Sequence, residues 1–396
     1  MLVGVTVCTA AAVPSSAHAA ASGLQPDPKG VTEFSVGLSP RSGPYGIVPG
    51  PDGRLWFPEM MGGRVAAITT TGVITEYASG ISPNATPGFD ITKGPDGNLW
   101  FAEFGNHGVA KVTTAGVVTE YTTGPGTAPA GLVTGSDGAL WFGEGTGDAV
   151  GRITTSGVVT SYPVARGAGA ALVTRGADGN VWFAEFTGSA VGKITPAGVI
   201  TTYPVASNSL PAFMTLGADG NVWFTEENVG NVAKVTPNGV VTEYPVPGAS
   251  AAPSTAATGS DPDGITLGPD GNVWFSVRGE DKLGRVTPAG VITVFGAGIT
   301  SGARPTGITT GPDGALWFTE NSGNRIGRLG FVRASSATSP RVSTAPTRAQ
   351  PPAPATPVPR AARALANTGG LGAPVFGVLL TALALAARRR SRARVT

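Results

Sequence analysis

Tryptophan stands at Trp56, Trp100, Trp141, Trp182, Trp223, Trp274 and Trp317, at intervals of 44, 41, 41, 41, 51 and 43 residues, and nowhere else in the 396-residue chain. Each lies in the frame Gly-x-Asp-Gly-x-[Leu/Val]-Trp-Phe. So bulky a side chain recurs at one spacing only when every copy buries it in the same way, so the chain holds seven copies of one supersecondary unit. A repeat of about 40 to 45 residues with four short strands per copy is the signature of a β-propeller.

The strands are legible in the first copy. Residues 46–49 begin an inner strand, Asp52-Gly53 turns it, Arg54 to Glu59 returns, Arg64 to Thr69 is the third strand and Val73 to Tyr77 the fourth. Asp-Gly suits a two-residue type I′ turn, in which both central residues take positive φ. No run of helical periodicity interrupts residues 30–330, which places the domain in the all-β class. Six copies end in a strand like Gly72 to Tyr77, but the seventh stops at Leu329, while a matching segment, Gly30 to Phe34, precedes the first copy. An open ring would leave unpaired strand edges. The reading is therefore a seven-bladed propeller over residues 29–330, closed by its N-terminal strand and monomeric.

Two charged positions repeat with the Trp. Glutamate follows it by three residues in six copies (Glu59, Glu103, Glu144, Glu185, Glu226, Glu320), and Lys or Arg by eleven in six (Lys111, Arg152, Lys193, Lys234, Arg285, Arg328). Offsets three and eleven suggest cross-strand ion pairs, with Val277 and Ala67 each leaving a partner unmatched.

The ends carry a different message. Residues 1–20 form an apolar segment running to Ala17-His18-Ala19, the small-x-small form of a signal-peptidase site, with no Lys or Arg before it, as from a truncated or misplaced start. Cys8 lies within it, so the mature chain would hold no disulfide. Residues 331–364, rich in Ser, Thr, Ala, Pro and Arg, read as a disordered spacer. Residues 365–396 comprise Leu365-Ala366-Asn367-Thr368-Gly369, an apolar stretch over 370–387 and an Arg-rich tail. This order resembles a Gram-positive cell-wall sorting signal, which implies a sortase as partner, cleavage after Thr368 and attachment to peptidoglycan, with transient membrane insertion through 370–387. A plain transmembrane anchor is the alternative reading of the same stretch. The chain is thus expected outside the cell, wall-anchored or membrane-anchored.

All 25 Asp and Glu precede residue 331, with only 17 of the 27 Lys and Arg, so the propeller carries a net −8. No basic stripe remains to meet phosphate, which excludes a nucleic-acid role. Function must lie where the copies differ. The tight turns hardly vary, whereas the connections between blades do, and the longest, Pro247 to Pro262, is long enough to lie across the channel opening as a flap. The residues eleven before each Trp should ring that mouth: Tyr45, Phe89, Ala130, Ala171, Ala212, Asp263 and Thr306. Nearby stand Asp90, Asp261, Arg304 and the loop residues Met60, Phe104, His107, Phe186, Arg278, Glu280 and Asp281. One side is aromatic and the other charged, which suits an amphipathic ligand. The candidate binding residues are Tyr45, Phe89, Asp90, Phe104, Phe186, Arg278, Arg304 and Thr306, and Asp261, Asp263 and Glu280 offer oxygen ligands to a hard cation such as Mg²⁺ or Ca²⁺.

Across residues 30–330 the blades, of the form Gly-Ile-Thr-x-Gly-x-Asp-Gly-x-Leu-Trp-Phe-Thr-Glu, then Asn-x-Ile-Gly-Arg, then Gly-x-Ile-Thr-Glu-Tyr, resemble the streptogramin B (virginiamycin B) lyases. The resemblance implies a carbon–oxygen lyase that opens a cyclic depsipeptide by Mg²⁺-assisted elimination across its ester, with a mouth histidine as general acid/base. The family pattern puts histidines after the prolines of the last two inner strands and an acid before the last of those prolines. Here those places read Pro262-Asp263-Gly264-Ile265, Pro305-Thr306-Gly307-Ile308 and Arg304. After signal removal the one histidine is His107, in an outer loop. Two readings stand: a non-catalytic propeller that presents its mouth to a glycan, peptide or protein, and a lyase whose acid/base role has moved to Asp263 with a metal on Asp261 and Glu280.

Overall fold

The computed structural model describes residues 23–248 and 260–333. The signal segment, the centre of the proposed flap, the spacer and the sorting signal lie outside the described residues. Within them, seven antiparallel four-stranded sheets follow one another, the blades of a propeller, here numbered by their Trp from blade 1 (Trp56) to blade 7 (Trp317). The sole helical element described is a single 3₁₀ turn, Arg278–Glu280, and no described helix is long and apolar enough to cross a membrane.

The Gly-x-Asp-Gly-x-[Leu/Val]-Trp signature has a local cause. In all seven blades the Asp carboxylate accepts the indole N–H at 2.9 to 3.2 Å. The first Gly is required because a Cβ there would strike the same edge of the indole, as at Gly50 and Gly268. The second takes positive φ (78° at Gly53), but the Asp does not. The turn is therefore not the type I′ hairpin expected. Asp is kept for its acceptor oxygens, as in an Asx turn, and not for tolerance of left-handed backbone.

The basic residue eleven after Trp does not face the glutamate. Strand register pairs Trp100 with Lys111 and Glu103 with Gly108, and the same offset holds in every blade. Offset eleven is paired with Trp itself, so the hairpin is centred closer to Trp than a pairing of offsets three and eleven requires. The cation instead lies 5.0 to 5.9 Å from the Trp ring and 2.7 to 3.9 Å from the turn Asp. Blade 1 has Ala67 at this place, and Arg54 from the turn fills it, 4.7 Å from the Trp56 ring and 2.7 Å from Asp52. An aromatic from the fourth strand covers Trp too; Tyr77, Tyr121, Tyr162, Tyr203 and Tyr244 all stack at 5.1 to 5.7 Å. Indoles, aromatics and the branched residues of neighbouring blades form the cores between sheets.

Closure follows the expected route. The first strand, Leu24–Phe34, pairs antiparallel with Arg325–Arg333 as the fourth strand of blade 7, and Phe34 stacks on Trp317 at 5.6 Å. It is longer than Gly30 to Phe34, and a bulge between Pro26 and Val31 interrupts its register. Two prolines that cannot donate to a ladder, Pro26 and Pro28, account for the break.

Deletion of residues 24–34 uncovers the edge of blade 7 and frees Val31 and Phe34, a loss of about 4 kcal/mol at typical side-chain burial values. The expected fall in Tm is about 10 °C, whereas truncation after Arg333 should leave it within about 2 °C, since surface segments contribute little. Equal melts for the two truncations would refute closure by this strand.

Candidate functional site

A bulge in each inner strand builds the mouth. In blade 3, Pro129 pairs with Glu144 and Leu132 with Phe142, so Ala130 and Gly131 oppose the single residue Gly143. The same irregularity recurs in blades 4, 5, 6 and 7, in blade 2 Gly88, Phe89 and Asp90 oppose the single residue Ala102, and in blade 1 a lone bridge between Pro44 and Glu59 precedes the short strand Val48–Pro49. Bulges re-aim side chains. Here they turn the residue eleven before each Trp into one shared central cluster holding Tyr45, Phe89, Ala130, Ala171 and Ala212, joined by Met60, Phe186, Leu172 and Phe213, with Phe104 half-buried against it. Tyr45 stacks on Phe213 at 6.1 Å and meets Phe89 edge-on at 5.2 Å, and Phe89 meets Phe104 edge-on at 5.9 Å. The aromatic side of the mouth is a packed plug.

The charged side is an ion cluster beneath it. Arg278, 5% exposed, donates Nε and Nη2 to Asp261 at 2.8 and 2.9 Å, and Nη1 to Asp263 Oδ2 at 2.8 Å. The Tyr45 hydroxyl donates to the same Asp263 oxygen at 3.0 Å and accepts from Arg278 at 3.3 Å. Glu227 lies 3.6 Å from the guanidinium. Loop geometry holds the parts in place: Asp261 and Arg304 sit in left-handed backbone (φ 45° and 52°), and their carbonyls accept the amides of Arg278 and Asn321.

Burial sets the protonation states. It raises the Asp263 carboxyl to about 6, with the Arg278 charge pulling the other way. Burial also raises Glu227 well above the usual carboxylate range, and Arg278 only partly offsets it. Burial and the Asp263 charge raise the Tyr45 phenol, which stays a neutral donor. Burial would lower Arg278, but Asp263 and Asp261 reverse that and hold it charged. The cluster is a guanidinium held between Asp263 and Asp261, with the buried Glu227 beside it.

The remaining expected site residues divide. Thr306 reaches the mouth, but its hydroxyl bonds Thr319 at 2.9 Å and it is 1% exposed. Arg304 is partly open, 3.7 Å from Asp261, with its amide held by Asp281 at 2.8 Å. Asp90 sits beside Gly46 in the inner ring, accepting the Ile91 amide at 2.9 Å, and burial raises it to about 7. The exposed His107 contacts the Thr127 carbonyl. The three carboxylates assigned to a metal do not converge: Asp261 and Asp263 close on Arg278, while Glu280 accepts from Lys282 at 2.8 Å. Among the described residues no group of three or more His, Cys, Asp or Glu is placed to hold a metal ion. A guanidinium between two carboxylates uses their lone pairs and repels a second cation, so this donor set does not fit Mg²⁺. Glu227 and Phe213 were missed. The signal for Glu227 was its place four after Trp, where other copies carry Met60, Phe104, Phe186 or Arg278.

Arg278→Ala strands two carboxylates in the interior, for which breaking a buried pair costs about 3–5 kcal/mol. Its Tm should fall by about 10 °C or more at about 2–4 °C per kcal/mol. The double variant Asp263→Asn/Arg278→Met removes both charges of the buried pair and should lose less. Thermal melts that rank the double variant below the single one would show that the cluster is not held as described.

The sequence matches the virginiamycin B lyase family over residues 29–263 and 251–351, and no curated protein matches. Among solved structures, a streptogramin B lyase is similar at 30% identity, TM-score 0.70, covering 79% of this chain and 99% of that one. Virginiamycin B lyase from Staphylococcus aureus is similar at 30% identity and TM-score 0.68, covering 78% of this chain and 100% of that one. A catalytically inactive variant of the latter with quinupristin aligns at 31% identity and TM-score 0.68, over 76% and 99%. Blade architecture and repeat motif agree with these matches throughout, and the chain belongs to the virginiamycin B lyase family.

Proposed function

We propose that this chain is a secreted, wall-anchored member of the family whose mouth binds a ligand or partner and does not cleave it. One observation carries the reading. At the two positions where the family pattern calls for histidine, Asp263 is fully buried and tied to Arg278 and Tyr45, and the Thr306 hydroxyl is tied to Thr319. A general base must reach its proton within hydrogen-bond distance. Threonine has no usable acid/base pKa, and the one oxygen of Asp263 without a partner is sealed from solvent. What the mouth offers is half-buried Phe104 on one side with Arg304 and Asp261 on the other, a surface for an amphipathic glycan, peptide or protein segment.

A relocated-base lyase is the second reading, and its one support is that burial raises Asp263 to about 6, closer to the range useful for proton removal than an ordinary aspartate. It needs Tyr45 and Arg278 to withdraw on substrate binding. An assay of the purified propeller for linearisation of a streptogramin B, at pH 7 with and without Mg²⁺, separates the two. No ring opening is expected. Ring opening that disappears in Asp263→Asn would replace the binding reading with the lyase.

Anchoring rests on the order of Leu365 to Gly369, the apolar stretch and the Arg tail. Wild type should be released by wall-digesting enzymes, and Thr368→Ala should move to the membrane fraction, because the stretch over 370–387 is then no longer removed. Recovery of both forms only in detergent would establish a membrane anchor instead.

A further inference from the structure

Six of the seven seams between blades are sealed in one way. The aromatic near the end of each fourth strand lies against the turn glycine that precedes the next blade's fourth strand: Tyr77 on Gly116, Tyr121 on Gly157, Tyr162 on Gly198, Tyr203 on Gly239, Tyr244 on Gly290 and Phe34 on Gly72. A Cβ at any of these glycines would meet the ring at 2.5 Å or less. The seam between blades 6 and 7 has no such seat, because the closing strand enters from the N-terminal side and no third-to-fourth-strand turn precedes it. Phe295, the blade 6 aromatic, lines a cavity of about 330 Å³ instead.

The closing strand shapes this cavity. Between Pro26, paired with Phe331, and Val31, paired with Leu329, four residues oppose Gly330 alone. Pro26, Pro28, Val31, Leu283, Phe295 and Leu329 give the cavity its apolar lining, and no inner-strand residue of the mouth takes part. Close-packed interiors leave few voids larger than a water molecule, and an apolar cavity of about 150 Å³ already takes benzene. The seam therefore has room for two rings. Its polar groups are acceptors. Pro26 and Pro28 have no N–H to offer, the Lys29 amide donates to Asp27 Oδ1 at 2.9 Å, and the Val31 amide donates to the Ala297 carbonyl at 3.1 Å. Asp27 lines the cavity half-buried, and its Oδ2 has no donor among the described residues. Gln25, which is exposed, is the one lining side chain able to donate. A ligand seated here must bring its own donor, and an anionic one would be repelled by Asp27.

We propose that the seam between blades 6 and 7 is a second ligand site, separate from the mouth, for a small organic cation: one or two apolar rings fill the cavity beside Phe295, and a protonated amine meets Asp27. The net charge of −8 on the propeller favours a ligand of that sign. The site is independent of whether the mouth binds or cleaves its ligand.

Calorimetric titration of the purified protein with naphthylethylammonium tests it, beside the uncharged naphthylethanol and the anion naphthylacetate. The ammonium should bind saturably and about fivefold more tightly than the alcohol, as one partly exposed ion pair allows, and the carboxylate should bind most weakly. Asp27→Asn should remove that preference and leave the affinity for the alcohol unchanged. Ala297→Trp, which puts an indole into the cavity, should weaken both by about tenfold or more. The proposal is overturned by no saturable binding, by a carboxylate bound as tightly as the ammonium, by an ammonium preference that persists in Asp27→Asn, or by full affinity in Ala297→Trp. If the tryptophan variant does not fold, NMR contacts from the naphthyl protons of the bound ammonium decide. Contacts with the Leu283 and Leu329 methyls support the seam site, and contacts confined to Phe104 at the mouth overturn it.

Discussion

The hydrogen bond from each indole N–H to the Asp of the preceding turn is the contact on which the architecture rests. It fixes the tight turn, the orientation of the ring and, through the ring, the distance between neighbouring sheets. The carboxylate also anchors the cation that caps the indole. Partial burial pulls Asp52, Asp96, Asp137 and Asp313 upward, yet the donors around them hold each below the usual carboxylate range. Several cations reach further, to a carbonyl of the next blade: Lys111 to Thr155, Lys193 to Pro237, Lys234 to Pro288 and Arg54 to Thr114. The same atoms that fold a blade thus join it to its neighbour.

The scaffold leaves the mouth free to differ. The irregular inner strands present residues to the axis, and nothing in the turn or the Trp stack constrains what they are. This is how one family framework can hold, here, an arginine shared between Asp261 and Asp263 beside an aromatic plug. Fold likeness is compatible with different residues at the mouth.

Blade count, strand order and ring closure were legible in the sequence because they follow from period and alternation, which depend on one blade at a time. The pairing of Glu with Lys or Arg was not, because it required the hairpin centre to within a residue, and a β-bulge or turn choice shifts that without changing the pattern. Nor was the substitution of Arg54 for the absent cation beside Ala67, a contact between positions that no repeat alignment equates. At the mouth, Tyr45, Phe89, Ala130, Ala171 and Ala212 of the expected ring meet in one cluster, as their common offset from Trp implies. The contacts there were not legible: that Arg278 turns inward, that Glu227 joins it, and that Tyr45 and Phe213 meet are properties of convergence across blades 1, 5 and 6. Sequence spacing within a blade carries no information about them.

Phe34 and Trp317, stacked in the closed ring, are separated by nearly the whole propeller along the chain. Loop-closure entropy makes such a contact slow to find, and topologies rich in distant pairings fold slowly. The strand that leaves the ribosome first is then the last to be docked, and until blade 7 exists its edge has no partner. Vectorial synthesis therefore leaves this chain an open, unclosed arc for almost the whole of its production, a state in which a second copy could donate the missing strand and a swapped dimer could form.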